Sequence, residues 1–120
     1  MSRDASITLT WADGDYVFRL GWQQLEMLQE AVDAGPWVVL DRLFNRTCLV
    51  GDIAHVLRLG LIGGGMEPTA ALKKVRTYVE ARPPAENVTY AIGVLGAALN
   101  GAPDERVGET DAADQEAETA

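Results

Sequence analysis

Large apolar residues alternate with polar ones from residue 6 to residue 20, and from Trp22 onward they recur every three or four positions instead. That change of period, from 2 to 3.6, predicts a two-stranded ribbon followed by helices. In the ribbon, "SITLTWADGDYVFRLGW", Asp13-Gly14 is a pair favoured in two-residue hairpin turns. With those two as the loop, Trp11 faces Tyr16, Leu9 faces Phe18 and Ile7 faces Leu20, and all six share one side. Thr8, Thr10, Ala12, Asp15, Val17 and Arg19 take the other side. A one-residue slip would scatter this sorting. A lone two-stranded ribbon is marginal in water, so its apolar face must lie on the helices that follow.

Five helical stretches follow. Trp22, Leu25, Leu28 and Val32 mark the inward face of the first, with Gly35 closing it and Pro36 opening the second. Trp37, Leu40, Leu43 and Phe44 stripe the second, and "NRTC" is a loop. The third starts at about Val50 and carries Ile53, Val56, Leu57 and Gly60. The fourth has Pro68 in its first turn, Leu72, Val75 and Val79 on one face, and Pro83-Pro84 as its stop. The fifth carries Val88, Ile92, Leu95 and Leu99 inward. Gly93 and Gly96 beside that stripe cost about 1 kcal/mol each relative to alanine, which suggests a neighbour packed closely there. Gly101 and Pro103 end the helix. The expected architecture is α+β: one domain over 1–103, with the hairpin at 6–20 packed on a bundle of about five short helices at 22–101.

Charge separates the last segment from this body. Residues 104–120 hold seven of the 18 acids and one of the ten basic residues, which leaves 11 acids and nine bases for residues 1–103. The segment also lacks aromatics, leucine and isoleucine, so a disordered acidic tail is expected. A nearly neutral body without a basic stripe argues against direct nucleic-acid binding. The most apolar stretch, Val50 to Met66, is interrupted by Asp52, His55, Arg58 and several glycines, so no membrane span is expected. "MSRDASITLT" lacks the apolar run of a signal peptide, and a single cysteine, Cys48, excludes an internal disulfide framework. Both fit a cytoplasmic setting.

Candidate chemistry is thin. "GLIGGGM" at 60–66 has the glycines of a phosphate cradle but not the context. A helical stripe precedes it, no strand does, and Met66-Glu67-Pro68 follows where Lys-Ser/Thr would be needed. The glycines therefore read as a left-handed helix stop and a flexible elbow between the third and fourth helices. "DGD" at 13–15 lacks the acid that a calcium loop needs at its twelfth position, where Gln24 stands. His55 is the only histidine, and with Cys48 it makes neither a zinc site nor an activated thiol with an orienting third group. Glu26 and Glu30, an i, i+4 pair, read as a solvated face, and Lys73, Lys74 and Arg76 as a small basic cluster balanced by Glu67 and Glu80. No catalytic, cofactor or metal residues are assigned.

"ITLTWADGDYVFRLGWQQLEMLQEAV" and "DIAHVLRLGLIGGGMEPTAALKKVRTYVEARPPAENVTYAIGVLGAAL" together resemble the small tail-assembly chaperones encoded by gene transfer agents and tailed phages. The resemblance covers residues 6 to 101 and leaves the acidic tail outside it. It implies a non-enzymatic cytoplasmic factor that binds the tape-measure protein, a long helical chain, and keeps it soluble until tail-tube subunits polymerise around it. The tail-tube protein and a second copy of the domain are further candidate partners. The alternatives from other classes are a small interaction or regulatory adaptor and an enzyme of unrecognised type.

Five short helices cannot bury every large residue. The helix after Pro36 carries Trp37, Val38, Val39, Leu40, Leu43 and Phe44, more than one face holds. Trp37, Val38 and Phe44, with Met66 at the elbow, are therefore the expected partner-binding residues.

Overall fold

The computed structural model describes residues 4–101. The expected acidic tail at 104–120 lies outside them. The fold class is the α+β arrangement that the periodicity predicts. An antiparallel hairpin of β1 (Ile7–Trp11) and β2 (Gly14–Phe18) precedes five α-helices. These are α1 (Trp22–Val32), α2 (Pro36–Asn45), α3 (Val50–Gly63), α4 (Pro68–Val75) and α5 (Val88–Asn100). A π-helical turn, Arg76–Glu80, prolongs α4, and a single 3₁₀ turn, Pro84–Glu86, leads into α5.

α3 is the centre. Ile53, Val56, Leu57 and Gly60 are buried as the stripe predicts, but so are Leu59, Leu61 and Asp52, so the helix is enclosed on nearly all sides. α1, α4, α5 and β2 all pack on it, while α2 packs chiefly on α5. Pro36 opens α2 with its fixed φ, and Gly101 ends α5 with φ +85°.

The apolar side of the hairpin faces this bundle. Trp11, Phe18 and Leu20 are fully buried, with Ile7, Leu9 and Tyr16 packed at the edge of the core. The register differs from the expected one. Ile7 pairs with Phe18, Leu9 with Tyr16 and Trp11 with Gly14, so the two-residue turn is Ala12-Asp13 rather than Asp13-Gly14. Ala12 takes the left-handed conformation there, at φ +57°. The shift is by two residues, which leaves every side chain on its own face. Alternation excludes odd slips only, and it cannot choose between these two registers. Tertiary contacts distinguish them. With Asp13 as the second turn residue rather than the first, both its carboxylate oxygens accept from Lys74 Nζ of α4, at 2.9 and 2.8 Å, and one also accepts from Tyr16 Oη. The same ammonium lies over the rings of Tyr16 and Tyr78, 5.1 and 5.5 Å from their centroids. Leu20, freed from the ladder, drops into the core.

The glycine-rich stretch is not a loose elbow. β2 and the residues after it run directly across the last turns of α3. A β-carbon at Gly63 would stand 1.8 Å from the Arg19 carbonyl oxygen, and one at Gly64 would stand 2.0 Å from that of Val17. One at Gly60 would meet Val94 and Phe18 side chains at 2.9 and 3.1 Å. Arg19 N–H donates to the Gly60 carbonyl at 2.9 Å, tying the chain to the helix. Only Gly65, at φ +114°, serves the conformational role that the sequence suggests for the group.

Three other expectations change. Asp33, at φ +53°, takes the left-handed position after α1, and Gly35 is extended before Pro36. An added β-carbon at Gly93 or Gly96 would meet nothing within 4 Å, so no close neighbour explains them. Ile92 and Leu99 are half-buried rather than central, and Ala91 and Val94 fill the core beside Leu95.

Two predictions follow from this packing. Gly63→Ala must force backbone from backbone, so its cost should reach or exceed the upper end of the about 1–3 kcal/mol typical of overpacking. Gly93→Ala, in open space on a helix, should instead stabilise by up to about 1 kcal/mol. Urea denaturation of both variants checks the contrast, and equal effects would refute the close approach. The second concerns pH. The Lys74 hydrogen bond, with that of Tyr16, holds the Asp13 carboxyl down at about 2 against its ordinary 3.8. A lowered carboxyl contributes stability above its unfolded value and loses it as pH falls from about 3.8 toward about 2. The pair is partly in solvent, so the gain is modest. Melting curves should show Lys74→Ala below the parent at pH 6, with the gap closing by pH 2.

Candidate functional site

Among the described residues the large apolar side chains left in solvent, Val17 of β2 apart, gather on α1, α2 and the start of α3. On α2, Val39, Leu40 and Leu43 are buried, while Trp37, Val38 and Phe44 are 59%, 49% and 62% exposed. Successive helical residues turn by about 100°. Trp37 and Phe44 therefore flank the buried stripe on one side, beside Leu40, and Val38 lies on the opposite, outward side. Met66 stands apart, half-buried against the core on the connection from α3 to α4. The structure thus puts three of the four expected residues on the open sides of one helix and the fourth on another segment.

Sequence reasoning missed the most exposed aromatic. Trp22, expected to face inward, is 81% exposed, and α1 buries only Leu28 completely. Trp22 is the first helical residue, and Leu20, two positions earlier, occupies the core beneath the hairpin. Periodicity at a helix end could not separate these roles, because both residues fit a pattern that changes period between them. Trp22, Leu25, Glu26 and Gln29 of α1, Trp37 of α2 and Leu99 of α5 line a groove of about 320 Å³.

Two more recesses flank the π-turn. One, also about 320 Å³, lies between the start of α3 and the π-turn, where Val50, Ile53, Ala54 and Val79 meet Glu80 and Pro84. Val50 and neighbouring Leu49 are both exposed there. The other, about 330 Å³, opens beside Trp11, Tyr78 and Tyr90, with Arg82 and Glu86 at its mouth. Its buried polar group is already engaged. Asn87 Oδ1 accepts from Trp11 Nε1 at 2.8 Å, and Asn87 Nδ2 donates to the Tyr78 carbonyl at 2.9 Å. The bond to Tyr78 reaches into the π-turn, and the Trp11 ring meets Tyr16, Phe18 and Tyr78 edge-on.

The titratable groups do not assemble into reaction chemistry. Cys48 is a free thiol, half-buried against the core. Arg58 Nη2 donates to His55 Nδ1 at 3.1 Å, and burial, then the Arg58 charge, lower the imidazole pKa below its ordinary 6.5. His55 thus faces a cation rather than a thiol. Among the described residues no three His, Cys, Asp or Glu side chains converge on a point that could hold a metal ion. No described helix is long and apolar enough to cross a membrane.

One buried charge escaped the sequence reading. Asp52 is fully buried at the start of α3. Its Oδ2 accepts from Leu49 N–H at 2.9 Å, the reciprocal half of a helix cap, and from Arg42 Nη1 at 3.4 Å, while Oδ1 has no hydrogen-bond partner. An acid at the third helical position is a usual N-terminal signal, but nothing in the sequence marks its burial. Arg42→Met removes the countercharge that the described residues supply and leaves the carboxylate buried. It should cost up to about 3–5 kcal/mol, well above Arg46→Met on the adjacent, exposed C-cap. Denaturant titration of the two variants measures the difference.

A family model described as "Phage tail tube protein, GTA-gp10" matches residues 4–101, the same span that the structure describes. No curated protein and no solved structure matches the chain.

Proposed function

The chain belongs to that phage and gene-transfer-agent tail family, and from this premise we propose that it acts as a non-enzymatic, cytoplasmic tail-assembly chaperone for the tape-measure protein. The observation that carries the reading is the open apolar surface of α2. Val39, Leu40 and Leu43 already fill the core, and Trp37, Val38 and Phe44 remain largely in solvent. A long helical chain that exposes apolar stripes would aggregate alone, and a small soluble domain can cover such stripes by helix-in-groove contacts. Met66, half-buried at the α3–α4 connection, stands apart from this surface and would be a separate contact, where methionine adapts to varied apolar segments. The acidic residues at 104–120 would add solubility and like-charge repulsion between coated complexes.

A second reading is favoured by the family's description and by one feature of the fold. β1 pairs only with β2, so the hairpin offers a strand edge that could pair with another copy in a tube wall. The readings differ in the finished particle. A tube subunit is present there in many copies, whereas an assembly chaperone is absent.

The test is co-expression with a fragment of the long helical tail protein encoded nearby, followed by protein analysis of purified particles. The domain should keep the fragment soluble and co-purify with it. Val38→Glu, on the outward side of α2, should keep the fold and release the fragment. Retention of the fragment by Val38→Glu places the contact elsewhere. Abundant protein in finished particles establishes the tube reading instead.

A further inference from the structure

The groove between α1, α2 and α5 combines features that the α2 surface alone does not. Trp22 and Trp37 both line it, at 81% and 59% exposure, and Leu25 and Leu99 supply the apolar surface between them. An aromatic side chain buries about 150–250 Å² when covered, so two tryptophans on one recess represent a large unrealised contact. Aromatic anchors of this kind dominate binding energy where they occur. Every described residue that lines the recess belongs to a helix. It is thus shaped for side chains projecting from a helix rather than for strand addition. Its volume of about 320 Å³ suits anchoring side chains rather than a whole helix.

The charge is one-sided. Glu26 is the only charged residue lining the groove, α1 carries Glu26 and Glu30 with no lysine or arginine, and Asp33 follows at its C-cap. An acidic segment such as 104–120 would be repelled there.

We propose that this groove receives the apolar face of an amphipathic α-helix flanked by lysine or arginine, with Trp22 and Trp37 gripping its apolar residues and Glu26 pairing with a flanking cation. This deepens the chaperone reading by naming the site and the chemistry of the helix. It rests on that reading only for the statement that the helix belongs to the tape-measure protein.

The probes are two synthetic amphipathic helices of about 18 residues, long enough to be helical. They share leucines at i, i+3, i+4 and i+7 spacing, and one is flanked by lysines, the other by glutamates. They are titrated into the full chain with tryptophan emission as the readout, since Trp11 is already buried and Trp22 and Trp37 are not. The lysine peptide should shift emission to the blue and bind at least about tenfold more tightly than the glutamate peptide. Trp22→Ala, at an exposed first helical position, should retain the parent melting curve and weaken binding by at least about tenfold. Trp37→Ala gives a second, independent truncation of the grip. Glu26→Lys should reverse the preference between the peptides.

Equal affinity for the two peptides, no binding of either, or unchanged binding by both tryptophan variants would overturn the proposal. A blue shift on concentrating the protein alone would assign the groove to a second copy. Emission already blue in the dilute free chain would assign it to residues beyond 101. Each of these also overturns it. Co-expression with the tail-protein fragment separates the two levels. If the fragment is held equally by Trp22→Ala and the parent, the groove is wrong and the chaperone reading stands. If the lysine peptide binds as expected but the fragment is not held, the groove stands and its partner is a different basic helix.

Discussion

Everything in this fold hangs on one close approach, that of the β2 backbone to the last turns of α3. The hairpin cannot stand alone, and the surface that receives β2 is the end of α3, where Gly60, Gly63 and Gly64 carry no side chains, while β1 packs on α5. The Arg19 and Val17 carbonyls sit where β-carbons would otherwise be. Because the strand lies so near, Phe18 and Trp11 reach across α3 into the shared core, and the turn of the hairpin arrives over Lys74 of α4. The Trp11 indole then reaches Asn87 just before α5, and Asn87 holds the π-turn through Tyr78. One contact without side chains thus sets the positions of the polar ties from the hairpin to Lys74 and Asn87.

The division between what the sequence revealed and what it hid follows physical lines. Period, parity and terminators were legible: the hairpin, five helices, Pro36 at a helix start, Gly101 at a helix end and the α3 stripe. These depend on neighbours a few residues apart. The strand register, the role of the glycines and the burial of Asp52 depend on residues 40 or more positions away, or on enclosure by several elements. A run of glycines is ambiguous by nature, since the absence of a side chain serves a sharp turn and a tight packing surface equally well. The same residue type misled in the opposite direction on α5, where Gly93 and Gly96 face open space.

The candidate surface was half legible. An excess of large residues on α2 could be counted, and Trp37, Val38 and Phe44 are in solvent as that excess required. Trp22 could not be found this way, since it fits an apolar stripe and is exposed only because Leu20 reaches the core first. The family match covers the residues that carry this surface, at 4–101.

The order of the chain sets a timetable for the Arg19–Gly60 tie. The hairpin is synthesised first, yet its platform on α3 is complete only when Gly64 has been added. At about 5–20 residues per second, that is an interval of roughly 2–9 s. For that time Phe18 lacks the α3 surface at Gly60, and Trp11 waits longer still for Tyr78 and Asn87; contacts of such long sequence separation form late in folding as well. The N-terminal ribbon is therefore open to mispairing with other nascent strands over this interval, and the arrival of α3 begins its cover, which Asn87 and α5 complete.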